Sequence, residues 1–335
     1  MSETAPALQD AQAVLRQVFG FDGFRPGQGE VISAVLGGED VLAVMPTGSG
    51  KSLCYQLPTL VRRGLTVVVS PLIALMRDQV GQLRALGVEA ASLNSANDAD
   101  ENARVCQALR DRRLRLLYAA PERLVRPDTL ALLRESGSSM LAIDEAHCVS
   151  QWGHDFRPEY LALGRVRDAL GQPQTLALTA TADAPTRGDI LQKLFRSTPR
   201  SFVRSFDRPN LRLAMQPKAN TRRQVEAFVA THRGLSGIVY CASRKRTETL
   251  AGQLCGAGHR ALAYHAGLDA GTRSRTQDTF LQEDGAVIVA TVAFGMGIDK
   301  PDVRFVCHAD LPQSIEAYYQ EIGRAGRDGL PSDCL

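Results

Sequence analysis

Short, nearly continuous runs of apolar residues recur along the chain, with amphipathic stretches between them. In the amino-terminal part, these apolar runs are 40–44, 67–69, 116–119, 140–143 and 176–178. Runs of this length, bounded by turn-forming or polar residues, are typical of strands that are buried on both faces. Between two of them, Leu72, Met76, Val80 and Leu83 are spaced by three or four residues, which predicts an amphipathic helix. The alternation predicts an α/β fold, in which helices cover both faces of a mostly parallel sheet.

The alternation pauses at residues 205–219 and resumes with apolar runs at 238–241, 261–264, 287–290 and 303–307. The pause contains a proline and scattered charges, which is typical of a linker. We therefore expect two tandem α/β domains, residues 12–204 and 220–335, preceded by a disordered segment at 1–11. A ligand shared by two such domains is expected at the carboxyl ends of their strands.

The composition is that of a globular protein, with 44% hydrophobic and 22% charged residues. Lys and Arg together number 39 against 36 Asp and Glu, and so small an excess does not by itself indicate a nucleic-acid partner. The longest apolar runs fall short of a membrane span, and residues 1–12 lack the basic and apolar segments of a secretory signal. We expect a cytoplasmic protein that does not associate with membranes.

The seven cysteines are scattered and include no Cys-x-x-Cys pair. Their odd number and wide spacing argue against a disulfide framework and against a zinc cluster held by this chain. The neighbouring His147 and Cys148 do not change this expectation, because adjacent side chains at the end of a strand point apart.

The most informative motif is Met45-Pro-Thr-Gly-Ser-Gly-Lys-Ser52, which follows the first apolar run and precedes a helical segment that we expect to end at Pro58. Glycines allow successive backbone N–H groups to surround phosphate oxygens, and the following helix adds the positive end of its dipole. Lys51 can reach the β- and γ-phosphates, and the Ser52 hydroxyl can bind Mg²⁺. The usual motif has Gly where this chain has Met45. The residues predicted to bind the nucleotide here are Thr47, Gly48, Ser49, Gly50, Lys51 and Ser52.

A second candidate is Asp144-Glu145-Ala-His147, which follows the apolar run 140–143. A carboxylate at the end of a strand in the same sheet as a phosphate loop is suited to hold Mg²⁺, so Asp144 is the predicted ligand. Glu145 is placed to polarise an attacking water as a general base. His147 is interpreted as a hydrogen-bonding relay between the two domains.

The next segment, residues 148–160, contains the single Trp of the chain, Trp152, together with Phe156 and Arg157. Aromatic side chains beside an arginine in a polar loop suit stacking on unpaired bases and contact with phosphates. The alternative is that Trp152 is a core residue, because tryptophan is usually well buried.

Residues 320–329, Gln-Glu-Ile-Gly-Arg-Ala-Gly-Arg-Asp-Gly, place Arg324 and Arg327 three positions apart. On one helical face, with glycines allowing close approach, they could neutralise charge on a transferring phosphoryl group. The alternative is a solvated basic face. Thr179 and Thr181 also offer hydroxyls at a strand end, although this pattern alone is weak.

Taken together and in this order, the motifs resemble the motor core of superfamily 2 helicases, and the RecQ family of DNA helicases in particular. The resemblance spans residues 12–335 and implies two RecA-like domains with ATP between them. It implies that Arg25 and Gln28 contact the adenine base and that Phe21 stacks on it. Met at the first position of the phosphate loop is usual in this family. Residues 70–79, which include Arg77, and residues 120–123 resemble motifs that contact DNA.

In the second domain, residues 264–267 and 290–297 resemble further motor motifs, and Asp299 is implied on the ATP side of the cleft. The segment 320–327 resembles the arginine-finger motif, with Arg327 as the finger and Arg324 as its partner. Gln320, like His147, is assigned to coupling. RecQ proteins commonly continue into a zinc module and a winged helix, and this chain is therefore expected to be a motor truncated after its core.

The resemblance implies an ATP- and Mg²⁺-dependent enzyme that moves 3′ to 5′ along single-stranded DNA, acts on branched DNA and takes part in recombination and repair. We expect a monomer, and the sequence names no protein partner. Two alternatives stay open: an RNA helicase of the same superfamily, and a DNA-stimulated ATPase that binds nucleic acid without unwinding it.

Overall fold

A computed structural model of the protein describes residues 4–152, 155–205, 207–294 and 300–335. The chain divides into two compact units, Met1–Phe206 and Asp207–Leu335. Each unit has its own parallel sheet with helices packed around it, so the predicted α/β class with two such sheets in tandem is confirmed. Within the described residues, no helix combines the length and the apolar character needed to cross a membrane.

The strands described in the first unit form one parallel sheet. They are β1 (Val41–Val44), β2 (Leu65–Val69), β3 (Ala90–Leu93), β4 (Leu116–Ala119), β5 (Ser138–Ile143), β6 (Gln174–Thr179) and β7 (Arg200–Val203). Their order across the sheet is β3-β4-β2-β5-β6-β1-β7. Along β1, Leu42 and Val44 join one apolar cluster while Val41 and Ala43 join another, so both faces of the sheet are buried.

The helices of this unit cover the two faces. They are α1 (Thr4–Phe19), α2 (Gln28–Leu36), α3 (Leu53–Val61), α4 (Ile73–Ala85), α5 (Ala99–Arg110), α6 (Pro121–Leu124), α7 (Pro127–Ser136), α8 (Leu163–Ala169) and α9 (Ala184–Leu194), with 3₁₀ turns at Ala146–Val149 and Pro158–Ala162. Side-chain caps fix two of the starts: Asp98 accepts from the N–H of Glu101 at α5, and Asp183 accepts from the N–H of Thr186 at α9.

The second unit contains a parallel sheet with the order β10-β11-β9-β12-β13-β8. Its strands are β8 (Leu211–Leu213), β9 (Gly237–Tyr240), β10 (Ala261–Tyr264), β11 (Val287–Ala290), β12 (Phe305–His308) and β13 (Ser332–Cys334), and its helices are α10 (Thr221–Ala230), α11 (Arg244–Gly256), α12 (Ala270–Gln282) and α13 (Ile315–Ile322). Gly237 at the start of β9 is needed for packing, since a Cβ there would lie 2.1 Å from the ring of Phe305.

Three boundaries differ from those that the sequence predicts. Helix α1 begins at Thr4, before the predicted start of the first domain at residue 12, and its residues Ala11 and Leu15, one helical turn apart, are both buried. Helix α3 continues through Pro58 to Val61, where the carbonyl of Pro58 accepts from the N–H of Arg62 at 2.9 Å. The predicted linker contributes strand β8, which pairs with β13 at the edge of the second sheet.

Candidate functional site

The carboxyl ends of three neighbouring strands bring the candidate residues of the first unit to one edge of its sheet. In the register of β1, β6 and β5, Val44 lies beside Thr179 and Ala177 lies beside Ile143. The phosphate-loop motif follows β1, the Thr179-Ala-Thr181 segment ends β6, and Asp144 follows β5. Segments far apart in sequence therefore leave the sheet side by side, which is where ligands bind in such folds.

The loop between β1 and α3 has the backbone form that its glycines permit. Gly48 and Gly50 have φ angles of 82° and 76°, in the left-handed region that favours glycine. A Cβ on Gly50 would also lie only 2.4 Å from Nε2 of Gln28. Nζ of Lys51 donates to the carbonyl oxygens of Met45 at 3.3 Å and Pro46 at 3.5 Å, so the side chain is folded over its own loop.

Two predicted base-binding residues contact this loop directly. Nε2 of Gln28, which is buried, donates to the carbonyl oxygens of Ser49 and Gly50, both at 3.0 Å. Its Oε1 accepts from the N–H of Arg25 at 2.7 Å, and the Arg25 guanidinium donates to the carbonyl of Gly48. These contacts fix the loop from the side of α2. The ring of Phe21, in the segment before α2, is half exposed.

Asp144 is a buried carboxylate at the end of β5. Its N–H donates to the carbonyl of Val69 at 2.9 Å, and its Oδ1 accepts from the N–H of Glu145 at 3.0 Å. Burial and the charge of Glu145 raise the pKa of Asp144, and the Lys51 ammonium partly offsets this. A divalent cation would stabilise the ionised form of such a group.

The oxygen donors of Ser52 and Asp144 are of the hard type that Mg²⁺ prefers. Magnesium in nucleotide sites takes one or two protein ligands and completes its shell with water and phosphate oxygens. The described part of the chain holds no cluster of three or more His, Cys, Asp or Glu side chains arranged for a metal. A Mg²⁺ site with only Ser52 and Asp144 as protein ligands does not require such a cluster.

Glu145 has φ 49° and ψ 47°, a left-handed backbone that is uncommon for a residue with a side chain. This conformation ends the strand abruptly and starts the 3₁₀ turn Ala146–Val149. Oε2 of Glu145 lies 3.4 Å from Nδ1 of His147. Local strain of this kind occurs mainly where the position of a side chain matters for function.

His147 is buried and links Glu145 to the segment after β6. Its Nδ1 lies 2.9 Å from Oγ1 of Thr179, and that hydroxyl donates its hydrogen to the carbonyl of Thr181 at 2.9 Å. The hydroxyl can therefore only accept from His147, which assigns the hydrogen of the neutral imidazole to Nδ1. The Thr-Ala-Thr segment, a weak signal in the sequence, is thus part of this site.

The described residues of the aromatic segment include an exposed tryptophan and several anchored side chains. Trp152 is 76% exposed, so the alternative of a core tryptophan is wrong. Arg157, by contrast, donates to Oδ2 of Asp155 at 3.1 Å and to the carbonyl of Pro71 at 3.1 Å. Phe156 is half-buried. Tyr160, the further aromatic residue of this segment, is buried and donates to the carbonyl of Asp144 at 2.9 Å.

In the second unit, the two candidate arginines do not lie on a helical face, because α13 ends at Ile322. They lie in the turns that follow, and Arg324 is buried, so a solvated basic face is also excluded for it. Gly326 has φ 56°, and a Cβ there would lie 2.5 Å from Nδ2 of Asn210. Gln320 is half-buried on α13, and Asp299 lies outside the described residues.

A tyrosine that sequence reasoning missed contacts Arg324. Burial raises the pKa of Tyr240, while the charge of Arg324 and a hydrogen bond with it act in the opposite direction. The Tyr240 hydroxyl also donates to the carbonyl of Phe294 at 3.2 Å. Tyr240, the last residue of β9, therefore joins the segment after β11 to the arginine turns that follow α13.

Two family models together match most of the chain. The DEAD/DEAH box helicase model matches residues 25–189, and the helicase conserved C-terminal domain model matches residues 220–329. An ATP-dependent DNA helicase RecQ of Haemophilus influenzae is 50% identical over 325 residues, which are 97% of this chain and 52% of that protein. The chain belongs to the RecQ family of superfamily 2 helicases. It spans about half the length of the curated relatives it matches.

Solved structures share the fold of this RecQ-family core at lower identity. The Mycobacterium smegmatis helicase Lhr, bound to single-stranded DNA and AMP-PNP, aligns with a TM-score of 0.73 and 23% identity over 96% of this chain and 47% of that one. The DEAD-box helicase Mss116, bound to single-stranded RNA and UDP-BeF, aligns with a TM-score of 0.78 and 18% identity over 97% of this chain and 72% of that one. These likenesses establish the tandem RecA-like fold.

Proposed function

We propose that this RecQ-family core couples the hydrolysis of Mg²⁺-ATP to 3′-to-5′ movement along single-stranded DNA. The observation that carries the proposal is the convergence of Lys51, Asp144 and Glu145 at one sheet edge, within a chain whose relatives are named ATP-dependent DNA helicases. The chain covers only part of those relatives, so activity and polarity need direct measurement.

In this proposal each residue of the edge has a separate task. The backbone N–H groups of the loop and Lys51 hold the phosphates, and Ser52 and Asp144 would hold Mg²⁺, which supplies charge neutralisation at the transferring phosphoryl group. Glu145 polarises the attacking water, and its left-handed backbone aims the carboxylate. His147, the proposed hydrogen-bonding relay between the two domains, connects Glu145 to the Thr179 hydroxyl within the first unit.

The roles of Arg327 as finger and Arg324 as its partner rest on the resemblance and on guanidinium chemistry. Arg324 is held by Tyr240, so we assign it to positioning and leave the contact with the γ-phosphate to Arg327. The roles proposed for Asp299 on the nucleotide side and for Gln320 in coupling rest on the resemblance alone.

For DNA, exposed Trp152 on its polar loop is the proposed stacking residue, and exposed Arg77 on α4 is a proposed phosphate contact. Arg157 already bonds Asp155 and Pro71, so its part is to hold the loop. Binding that rests on phosphate contacts weakens steeply as salt rises.

The proposal is tested by placing a biotin–streptavidin block at either end of a single-stranded DNA and measuring ATP-dependent release. Faster release from the 5′ end, lost in Lys51→Ala, supports 3′-to-5′ movement. Faster release from the 3′ end would reverse the polarity. DNA-stimulated hydrolysis without release would instead favour the second candidate, a DNA-stimulated ATPase that neither moves nor unwinds.

The relatives' names also support DNA over RNA as the substrate. A hydrolysis rate raised by single-stranded RNA and not by DNA would favour the RNA-helicase alternative. Within the proposal, the protein is a cytoplasmic monomer that acts on branched DNA during recombination and repair.

A further inference from the structure

A buried network of polar side chains, formed by Tyr55, Gln56, Gln79 and Tyr118, crosses the apolar packing between α3, β4 and α4. Nε2 of Gln56 on α3 donates to Oε1 of Gln79 on α4 at 2.9 Å and lies 3.1 Å from the hydroxyl of Tyr118 on β4. The Tyr118 hydroxyl lies 3.4 Å from that of Tyr55, and the two rings meet edge to face with centroids 6.3 Å apart. All four side chains are buried, with exposures between 1% and 7%.

The surroundings of this polar network are apolar. Leu57, Met76, Val80 and Leu83 belong to the same buried cluster as the two tyrosine rings. A buried amide without a hydrogen-bond partner is costly, and apolar side chains of similar volume would pack the same helices together without that risk. A polar network whose hydrogen bonds are all made holds its members in one arrangement. Hydrogen bonds are stronger in a low-dielectric interior, and neither helix can move without breaking one of them.

Each of the two glutamines lies close in sequence to one of the two proposed ligand sites. The backbone N–H of Gln56 donates to the carbonyl of Ser52 at 3.0 Å, one helical turn from the phosphate loop. Gln79 lies two positions after exposed Arg77 on the helix that follows the Ser70-Pro71 turn. A displacement of α4 would therefore reach the helix that follows Ser52 through one side-chain hydrogen bond.

We propose that the Gln56–Gln79 hydrogen bond, held in place by Tyr118, is the positioning contact through which DNA bound at α4 adjusts the phosphate loop. This inference rests on the proposed function, because it requires that DNA stimulates hydrolysis. Neither glutamine touches the reacting atoms. Their effect is on the geometry of the loop, and the contact lies within the first unit.

The test compares Gln56→Leu, Gln79→Leu and the double variant with the wild-type chain. Steady-state ATP hydrolysis is measured with and without single-stranded DNA, and DNA affinity is measured by fluorescence anisotropy. We expect each single variant to lower the ratio of stimulated to unstimulated kcat by about tenfold, the size of a lost buried hydrogen bond. The double variant should lose no more than either single one, because both remove the same contact.

Thr59→Val is the matched control. Thr59 is on the same helix and is equally buried. Its Oγ1 donates to the backbone carbonyl of Tyr55 at 2.7 Å and accepts from Oγ1 of Thr66 on β2 at 2.6 Å. This variant should lower the unfolding temperature but leave the stimulation ratio within about twofold, because neither bond involves Gln56, Gln79 or α4.

The outcomes separate the two proposals. If the wild-type chain is not stimulated by DNA, the proposed function fails first. If the wild type is stimulated and the double variant, still folded and still binding DNA, is stimulated equally, the Gln56–Gln79 inference is overturned. An equal loss of stimulation in Thr59→Val would also overturn it, since the effect would then reflect stability.

Discussion

The left-handed backbone at Glu145 makes a prediction that separates conformational strain from catalysis. Glu145→Ala and Glu145→Gly both remove the proposed general base, so both are expected to abolish hydrolysis while nucleotide binding is kept. Both also remove the side-chain contact with His147, and both keep the backbone N–H that donates to Asp144. They differ in the cost of holding φ at 49°, which is high for alanine and low for glycine.

The size of the difference follows from two opposing effects. The left-handed conformation costs an L-residue roughly 1–2 kcal/mol. Glycine loses more chain entropy on folding, by roughly 0.5–1 kcal/mol relative to alanine. From the midpoints of the two ranges, we therefore expect the glycine variant to be more stable than the alanine variant by about 0.75 kcal/mol. For a unit of this size, that difference raises the unfolding temperature of the first unit by roughly 1–4 °C.

The assay is differential scanning calorimetry of the full chain. The unfolding transition of the first unit is identified as the one whose temperature rises when an ATP analogue is added at saturation. Glu135, which is exposed on α7, supplies the control pair. In the last turn of this helix the order should reverse, with Glu135→Ala more stable than Glu135→Gly by up to about 1 kcal/mol. An alanine variant at 145 that is as stable as the glycine variant would refute the claim that this backbone is strained.

Three further predictions concern other parts of the chain. Trp152→Ala should weaken single-stranded DNA binding on the order of tenfold and lower DNA stimulation, while Trp152→Phe keeps most of both; unchanged binding would exclude stacking. Asp40→Asn removes the carboxylate that pairs with the buried guanidinium of Arg167 at 2.5 Å, and it should lower the free energy of urea unfolding by about 3 kcal/mol. An unchanged midpoint of the urea transition would contradict this prediction. Burial alone would raise the pKa of Asp310, but the hydrogen bond from Lys218 helps to lower it below its ordinary value of 3.8. The ionised carboxylate therefore stabilises the second unit at pH values above 3.8. The stability lost in Asp310→Asn should therefore be largest at neutral pH and vanish as pH falls through the lowered pKa, and a loss independent of pH would argue against the pairing.

The strands that frame the site were predictable because each is a short apolar run buried on both faces. Strand β3, with the sequence Ala-Ala-Ser-Leu, carries no such signal and lies at a sheet edge. Strands β8 and β13 are three residues long and form by pairing with neighbours distant in sequence. Non-local pairing of this kind overrides weak local preference.

At the site, the phosphate loop and Asp144 were predictable because their chemistry depends on residue types at fixed local spacing. The bonds that support them were not, since they join residues far apart in sequence. Gln56 and Gln79 are 23 positions apart, and Tyr160 reaches Asp144 across 16. The turn that buries Arg324 was missed because a helical pattern does not show where α13 ends.

The central claim is that the edge formed by Lys51, Asp144 and Glu145 hydrolyses ATP under the control of DNA. Steady-state ATP hydrolysis with and without single-stranded DNA, beside Lys51→Ala, tests it most directly. The account predicts strong stimulation by DNA in the wild-type chain and no turnover above background in the variant. Turnover that survives Lys51→Ala, or a wild-type rate that DNA does not change, would contradict it.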